Sequence, residues 1–155
     1  MKILLVEDDD FKSSAIMKLA EELVDNLDFI VKTNVYDAQG YLYRRTQDLP
    51  DKIILDMSLP MHSPKVGEGD PLSMPVGGLE VLFLIKSEGL IEIPLVILTQ
   101  YPDIEIEGEY VPIVEAAQRI EDVYEIPNVS VVNYINDEVS SDAKWKVELE
   151  RFLKV

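Results

Sequence analysis

The sequence predicts a doubly wound α/β sandwich: a five-stranded parallel sheet in the order 2-1-3-4-5, with helices on both faces. Three observations carry that prediction. Apolar runs rich in Ile, Val and Leu recur five times along 155 residues. Most lack polar alternation, as strands covered on both faces do. Helical periodicity falls between successive runs, so each connection is a right-handed crossover.

The first strand, Ile3 to Val6, stops at Glu7-Asp8. Beyond it Phe11, Ala15, Ile16, Leu19, Leu23 and Leu27 fall on one helix face, with Asp9 or Asp10 placed to cap the start. Phe29 to Val35 is the second strand, followed by a poorer helix over roughly Ala38 to Thr46. The third strand, Ile53 to Leu55, stops at Asp56, and a third helix runs from Leu79 to about Lys86 with Gly89 as its C-terminal stop. Leu95 to Leu98 forms the fourth strand. Ile113 to Val123 is helical after Pro112, a favoured first-turn residue. Val129 to Ile135 is the fifth strand. The last helix starts near Ser140 or Ser141 and carries Trp145, Leu149, Phe152 and Leu153 on one side. No internal repeat is visible, and the length suits one domain over residues 1–155.

A formal charge of −16 argues against nucleic acid or an anionic membrane as partner and favours a basic protein or a cation. With 47% apolar residues the chain is globular. It has no cysteine, which excludes disulfides and thiolate metal sites and fits the reducing cytoplasm. The N-terminus is apolar for only four residues, too few for a signal peptide or a membrane span.

In the flavodoxin-like order, ligands sit at the switch point beyond the carboxyl ends of strands one and three. Those are the strands that end in acids. Gathered carboxylates raise one another's pKa or recruit a counter-charge. Mg²⁺ suits them, because it takes hard oxygen ligands and completes its shell with water and phosphate oxygens. One acid of the group can then act as a phosphorylated nucleophile.

Four segments together resemble the receiver domain of two-component response regulators, over nearly the whole chain. Met1-Lys2-Ile3-Leu4-Leu5-Val6-Glu7-Asp8-Asp9 is similar to that family's first strand and acidic pair. Ile54-Leu55-Asp56-Met57-Ser58-Leu59-Pro60 is similar to its phospho-acceptor strand and turn. Gly77-Gly78-Leu79-Glu80-Val81-Leu82 resembles the start of its third helix, and Ile93-Pro94-Leu95-Val96-Ile97-Leu98-Thr99 its fourth strand. The resemblance implies that Asp56 is the phospho-acceptor, with Glu7, Asp8, Asp56 and the Ser58 backbone carbonyl around Mg²⁺. It also implies that Thr99 is the hydroxyl that meets the phosphoryl group and that Thr99 and Tyr134 are switch residues. Its further implications are a cytoplasmic phosphorelay role and no enzymatic reaction beyond the domain's own phosphorylation and dephosphorylation. The expected partners are a histidine kinase or phosphotransfer protein and a downstream protein target, with a homodimer through the face of helix four, strand five and helix five. Because the chain ends with its fifth helix, it reads as a stand-alone module.

Several residues depart from the family pattern. The family has a Lys followed by Pro shortly after the strand-five aromatic, where Asp137 and Glu138 stand here. Exchanging a positive for a negative charge there adds repulsion to an acidic site, with Lys144 or Lys65 as candidate substitutes. Gln100 replaces a small residue. An extended loop at 61–75, rich in Pro and Gly, leaves the sheet directly after Asp56 and is placed to cover the pocket. It contains His62, the only histidine, so a multi-histidine metal site is excluded. Residues 101–126 form an enlarged acidic region in which eight acids face Arg119, a net of −7. The alternation Ile104-Glu105-Ile106-Glu107 there suggests an added strand.

Two mechanisms follow: phosphorylation on Asp56, or a pseudo-receiver that signals by protein contact alone. A Mg²⁺-dependent phosphohydrolase resembling the haloacid dehalogenases is a third reading, although Ser58 stands where that family has a second Asp. A flavin binder on the same architecture is a fourth, opposed by Glu7-Asp8-Asp9-Asp10, which repel a phosphate.

Overall fold

The computed structural model describes residues 1–43, 49–136 and 143–155. Five strands, β1 (Lys2–Val6), β2 (Asp28–Lys32), β3 (Lys52–Leu55), β4 (Leu95–Thr99) and β7 (Val129–Asn133), form one parallel sheet in the order β2-β1-β3-β4-β7. This is the predicted order, with β7 as the fifth strand of the sheet. Two further strands, β5 (Asp103–Ile106) and β6 (Glu109–Pro112), pair antiparallel as a hairpin.

Alternating side chains send each central strand into two cores. Ile3, Leu5, Ile54, Val96 and Leu98 meet Ile16 and Ala20 of α1 (Asp10–Leu23) and Trp145, Leu149 and Leu153 of α5 (Lys144–Lys154). Leu4, Val6, Ile53, Leu55, Leu95 and Ile97 face the other way. They pack on α2 (Val35–Tyr43), α3 (Gly77–Ser87) and α4 (Ile113–Tyr124). Each fully buried Leu or Ile contributes about 1.5–3 kcal/mol relative to exposure, and the two-sided burial explains why these strands lack polar alternation.

The added strand suggested by residues 104–107 is half of the hairpin. Ile104, Ile106 and Val111 are buried in the second core, so the alternation reports one face against the domain and one in water. Its turn, Glu107-Gly108, has positive φ at both residues (51° and 81°), as a primed hairpin turn requires.

Other boundaries shift modestly. Helix α2 begins at Val35 because Asn34 caps it, its Oδ1 accepting from the Asp37 N–H at 2.9 Å. Helix α3 begins at Gly77. The predicted end of the second helix at Thr46 and start of the last helix at Ser140 or Ser141 lie outside the described residues. In α1 the apolar-face assignment fails at one end: Phe11 is exposed, and Lys12 and Ser13 are buried instead.

Candidate functional site

Strands β1 and β3 lie side by side and both stop at acids, so the chain turns Glu7, Asp8 and Asp56 toward one sheet edge. One carboxylate oxygen from each lies within 4.8 Å of the others. They line a cavity of about 230 Å³ with Asp9, Ser58, Ser73, Gln100 and Tyr101.

The backbone beneath Asp56 is fixed from α3. The Gly78 N–H donates to the Met57 carbonyl at 2.9 Å. A Cβ on Gly78 would stand 2.7 Å from the Asp56 carbonyl oxygen, and one on Gly77 would stand 2.5 Å from that of Leu59. Only glycine admits so close an approach of helix to strand end.

Lys12 holds the acids together. Asp9 caps α1 by accepting from the Lys12 backbone N–H at 2.9 Å, which places that side chain over the sheet edge. Its ammonium, 1% exposed, lies 2.7 Å from Glu7 Oε2 and 3.2 Å from Asp56 Oδ1, and donates to the Leu98 carbonyl at 2.6 Å. Desolvation on this scale is tolerable only because the charges are paired.

Both carboxyls nonetheless sit above their ordinary range. Burial pushes Glu7 up to about 7, with the Lys12 charge opposing and Asp56 reinforcing the rise. Burial also raises Asp56, against the pull of Lys12 and of the Met57 N–H, which donates to Oδ1 at 2.8 Å. Asp8 is held from the long loop: Ser73 donates its hydroxyl to Asp8 Oδ2 at 2.6 Å. The loop is anchored there by a bridge between Leu59 and Met74.

The remaining expected residues are spread around this centre. Ser58 lines the acidic cavity, as does Gln100. Thr99 is fully buried and its hydroxyl accepts from the Tyr101 N–H at 3.2 Å. It lines an adjacent cavity of about 280 Å³ with Met57, Pro75 and Tyr110. Tyr134, just past β7, is buried, its ring 4.8 Å from that of Trp145. His62 is half-buried, its ring 6.4 Å from Tyr36. Asp137 lies outside the described residues. The candidate substitutes Lys65 and Lys144 are both exposed, and it is Lys12 that contacts Asp56. Its burial was readable in part, because Lys12, Ile16 and Ala20 recur every four residues on one face of α1.

Three carboxylates offer hard oxygen donors to a divalent ion, so the residues fit Mg²⁺ or Mn²⁺. A switch-point edge of this composition on this strand order defines a receiver domain. The chain belongs to the response-regulator family. It is 40% identical over 154 residues, 98% of its own length and 99% of the relative's, to the Detocs response regulatory protein DtcB of Vibrio alginolyticus. No protein-family model matches it.

Solved structures agree at the level of the fold. The Mn²⁺-bound response regulator Rcp1 is 21% identical with a TM-score of 0.60, over 99% of this chain and 88% of that one. The bacteriophytochrome response regulator RtBRR is 25% identical with a TM-score of 0.62, over 99% and 78%. The receiver domain of the sensor histidine kinase PA1611 from Pseudomonas aeruginosa PAO1, with magnesium in its active-site cleft, is 17% identical with a TM-score of 0.56, over 99% and 98%.

Proposed function

We propose that the chain accepts a phosphoryl group on Asp56, with Glu7, Asp8, Asp56 and the Ser58 backbone carbonyl holding Mg²⁺. The convergence of three carboxylates on an open cavity supports this reading. When bound, the ion neutralises phosphoryl oxygens and lets an anionic nucleophile meet an anionic donor. Asp56 supplies the nucleophilic oxygen, while Gln100, Tyr101 and Ser73 bound the space a donor enters.

Acetyl phosphate with Mg²⁺ tests the assignment. A mass increase on Asp56, absent in Asp56→Asn, is expected; no uptake under forcing conditions overturns it. One observation favours the pseudo-receiver instead: Lys12 already pairs with two of the three acids. That reading predicts unchanged mass and partner binding that ignores acetyl phosphate.

The natural donor is a histidine kinase or phosphotransfer protein acting in the cytoplasm, and the chain serves, like its Vibrio relative, as a response regulatory protein. Among the described residues no helix is long and apolar enough to cross a membrane. Exposed acids on the hairpin and α4, including Glu107, Glu109 and Glu121, suit a basic patch on a downstream protein. A homodimer through α4, β7 and α5 is tested by sedimentation with and without beryllofluoride.

A further inference from the structure

We propose that Lys12 is a positioning residue for phosphoryl transfer, fixing the Asp56 carboxylate so that one defined oxygen attacks. The inference rests on the acceptor reading above. The Lys12 ammonium and the Met57 N–H both converge on Asp56 Oδ1, at 3.2 and 2.8 Å. Among the described residues no hydrogen bond reaches Oδ2, and Asp56 lines the open cavity. Oδ2 is therefore the nucleophile. It forms a bond to phosphorus as the bond from phosphorus to the acyl oxygen of acetyl phosphate breaks; the electron pair leaves on acetate, and no proton moves.

Charge gives the second argument. Among the described residues, those lining the cavity include four carboxylates and no cation. Phosphorylation adds further negative charge, and among the described residues the ammonium beneath Glu7 and Asp56 is the basic group in direct contact with both. Its position is built in by the Asp9 cap, the Leu98 carbonyl and burial, so no reorganisation precedes its action. A family lysine expected beyond the last strand is thus replaced in function by one from the first helix.

Lys12→Met is expected to lower the maximal rate of Asp56 phosphorylation at saturating Mg²⁺ by on the order of 100-fold, with the half-saturating acetyl phosphate concentration nearly unchanged. Rescue separates charge from packing. Lys12→Cys introduces the only thiol into a cysteine-free chain. Aminoethylation in denaturant, followed by refolding, restores an ammonium and is expected to restore the rate, whereas a neutral propyl adduct is not. Equal rates for all forms, or rescue by the propyl adduct, overturn the proposal. If the unaltered chain takes no phosphoryl group, the acceptor reading fails and carries this one with it; if it does and Lys12→Met matches it, only the role of Lys12 falls. For variants that do not fold, the unaltered chain decides: in ¹⁵N-lysine-labelled protein the slowly exchanging Lys12 Nζ resonance shifts on adding beryllofluoride and Mg²⁺, and an unmoved resonance overturns the proposal.

Discussion

The Lys12 ammonium stands 5.4 Å from the centroid of the Tyr134 ring, close enough for a cation–π contact, while the same ring packs on Trp145. The acidic centre is thereby joined through one cation to an aromatic pair between α1 and α5. These contacts link the charge around Lys12 to the only tryptophan of the chain.

Mg²⁺ titration is therefore expected to change Trp145 fluorescence, since the ion adds positive charge to the Glu7 and Asp56 carboxylates that pair with the ammonium. Tyr134→Leu removes the ring between them and should abolish the change without abolishing binding, measured by calorimetry. Glu7→Gln and Asp56→Asn should each weaken Mg²⁺ binding by about tenfold or more. A full fluorescence response in Tyr134→Leu defeats this route.

Stability of the metal-free protein should fall as pH rises. Glu7 titrates near 7 when folded against an ordinary value of 4.5, so between those values the folded chain keeps a proton that the unfolded chain has lost. Unfolding free energy then declines from about 4.5 to about 7 and levels off above. Asp56, raised by the same burial, adds to the decline. Urea denaturation in EDTA checks it: Glu7→Gln should show a shallower slope, and a slope unchanged by that substitution refutes the assignment.

Two glycines should respond oppositely to the same substitution. At Gly78 a new methyl meets Asp56 and Met57 backbone, and Gly78→Ala is expected to cost about 1–3 kcal/mol and to disturb phosphorylation. Gly40, inside α2, has open space around its Cβ position, so Gly40→Ala should stabilise by about 0.5–1 kcal/mol. Urea midpoints of the two variants measure both signs.

The hairpin should behave as part of the core. Ile106 is fully buried against α4 and its neighbours, so Ile106→Ala is expected to cost about 2–5 kcal/mol. Tyr110 on the same hairpin is exposed, and Tyr110→Ala should stay within about 0.5 kcal/mol. Thermal unfolding distinguishes this from a loosely attached arm, for which both changes are small.

Sheet order and the meeting of Glu7, Asp8 and Asp56 were legible because strands buried on both faces read as unbroken apolar runs, and their acidic ends stand out. Lys12 was legible only through its spacing with Ile16 and Ala20, since a lysine beside Asp9 and Asp10 reads as a solvated charge and Phe11 competes for the inward face. Only the tertiary placement of α1 over the sheet edge decides between them. The turn at Glu107-Gly108 escaped for a related reason: it needs a partner strand, and Glu109 to Pro112 alternates too briefly to announce itself.

That turn has a practical consequence. Its two residues are exposed at the tip of a ribbon whose inner face is buried, and neither lines the acidic cavity. A fluorophore, an epitope tag or new chain termini introduced between Glu107 and Gly108 would ride on the protein as a reporter, leaving the chemistry at Asp56 undisturbed.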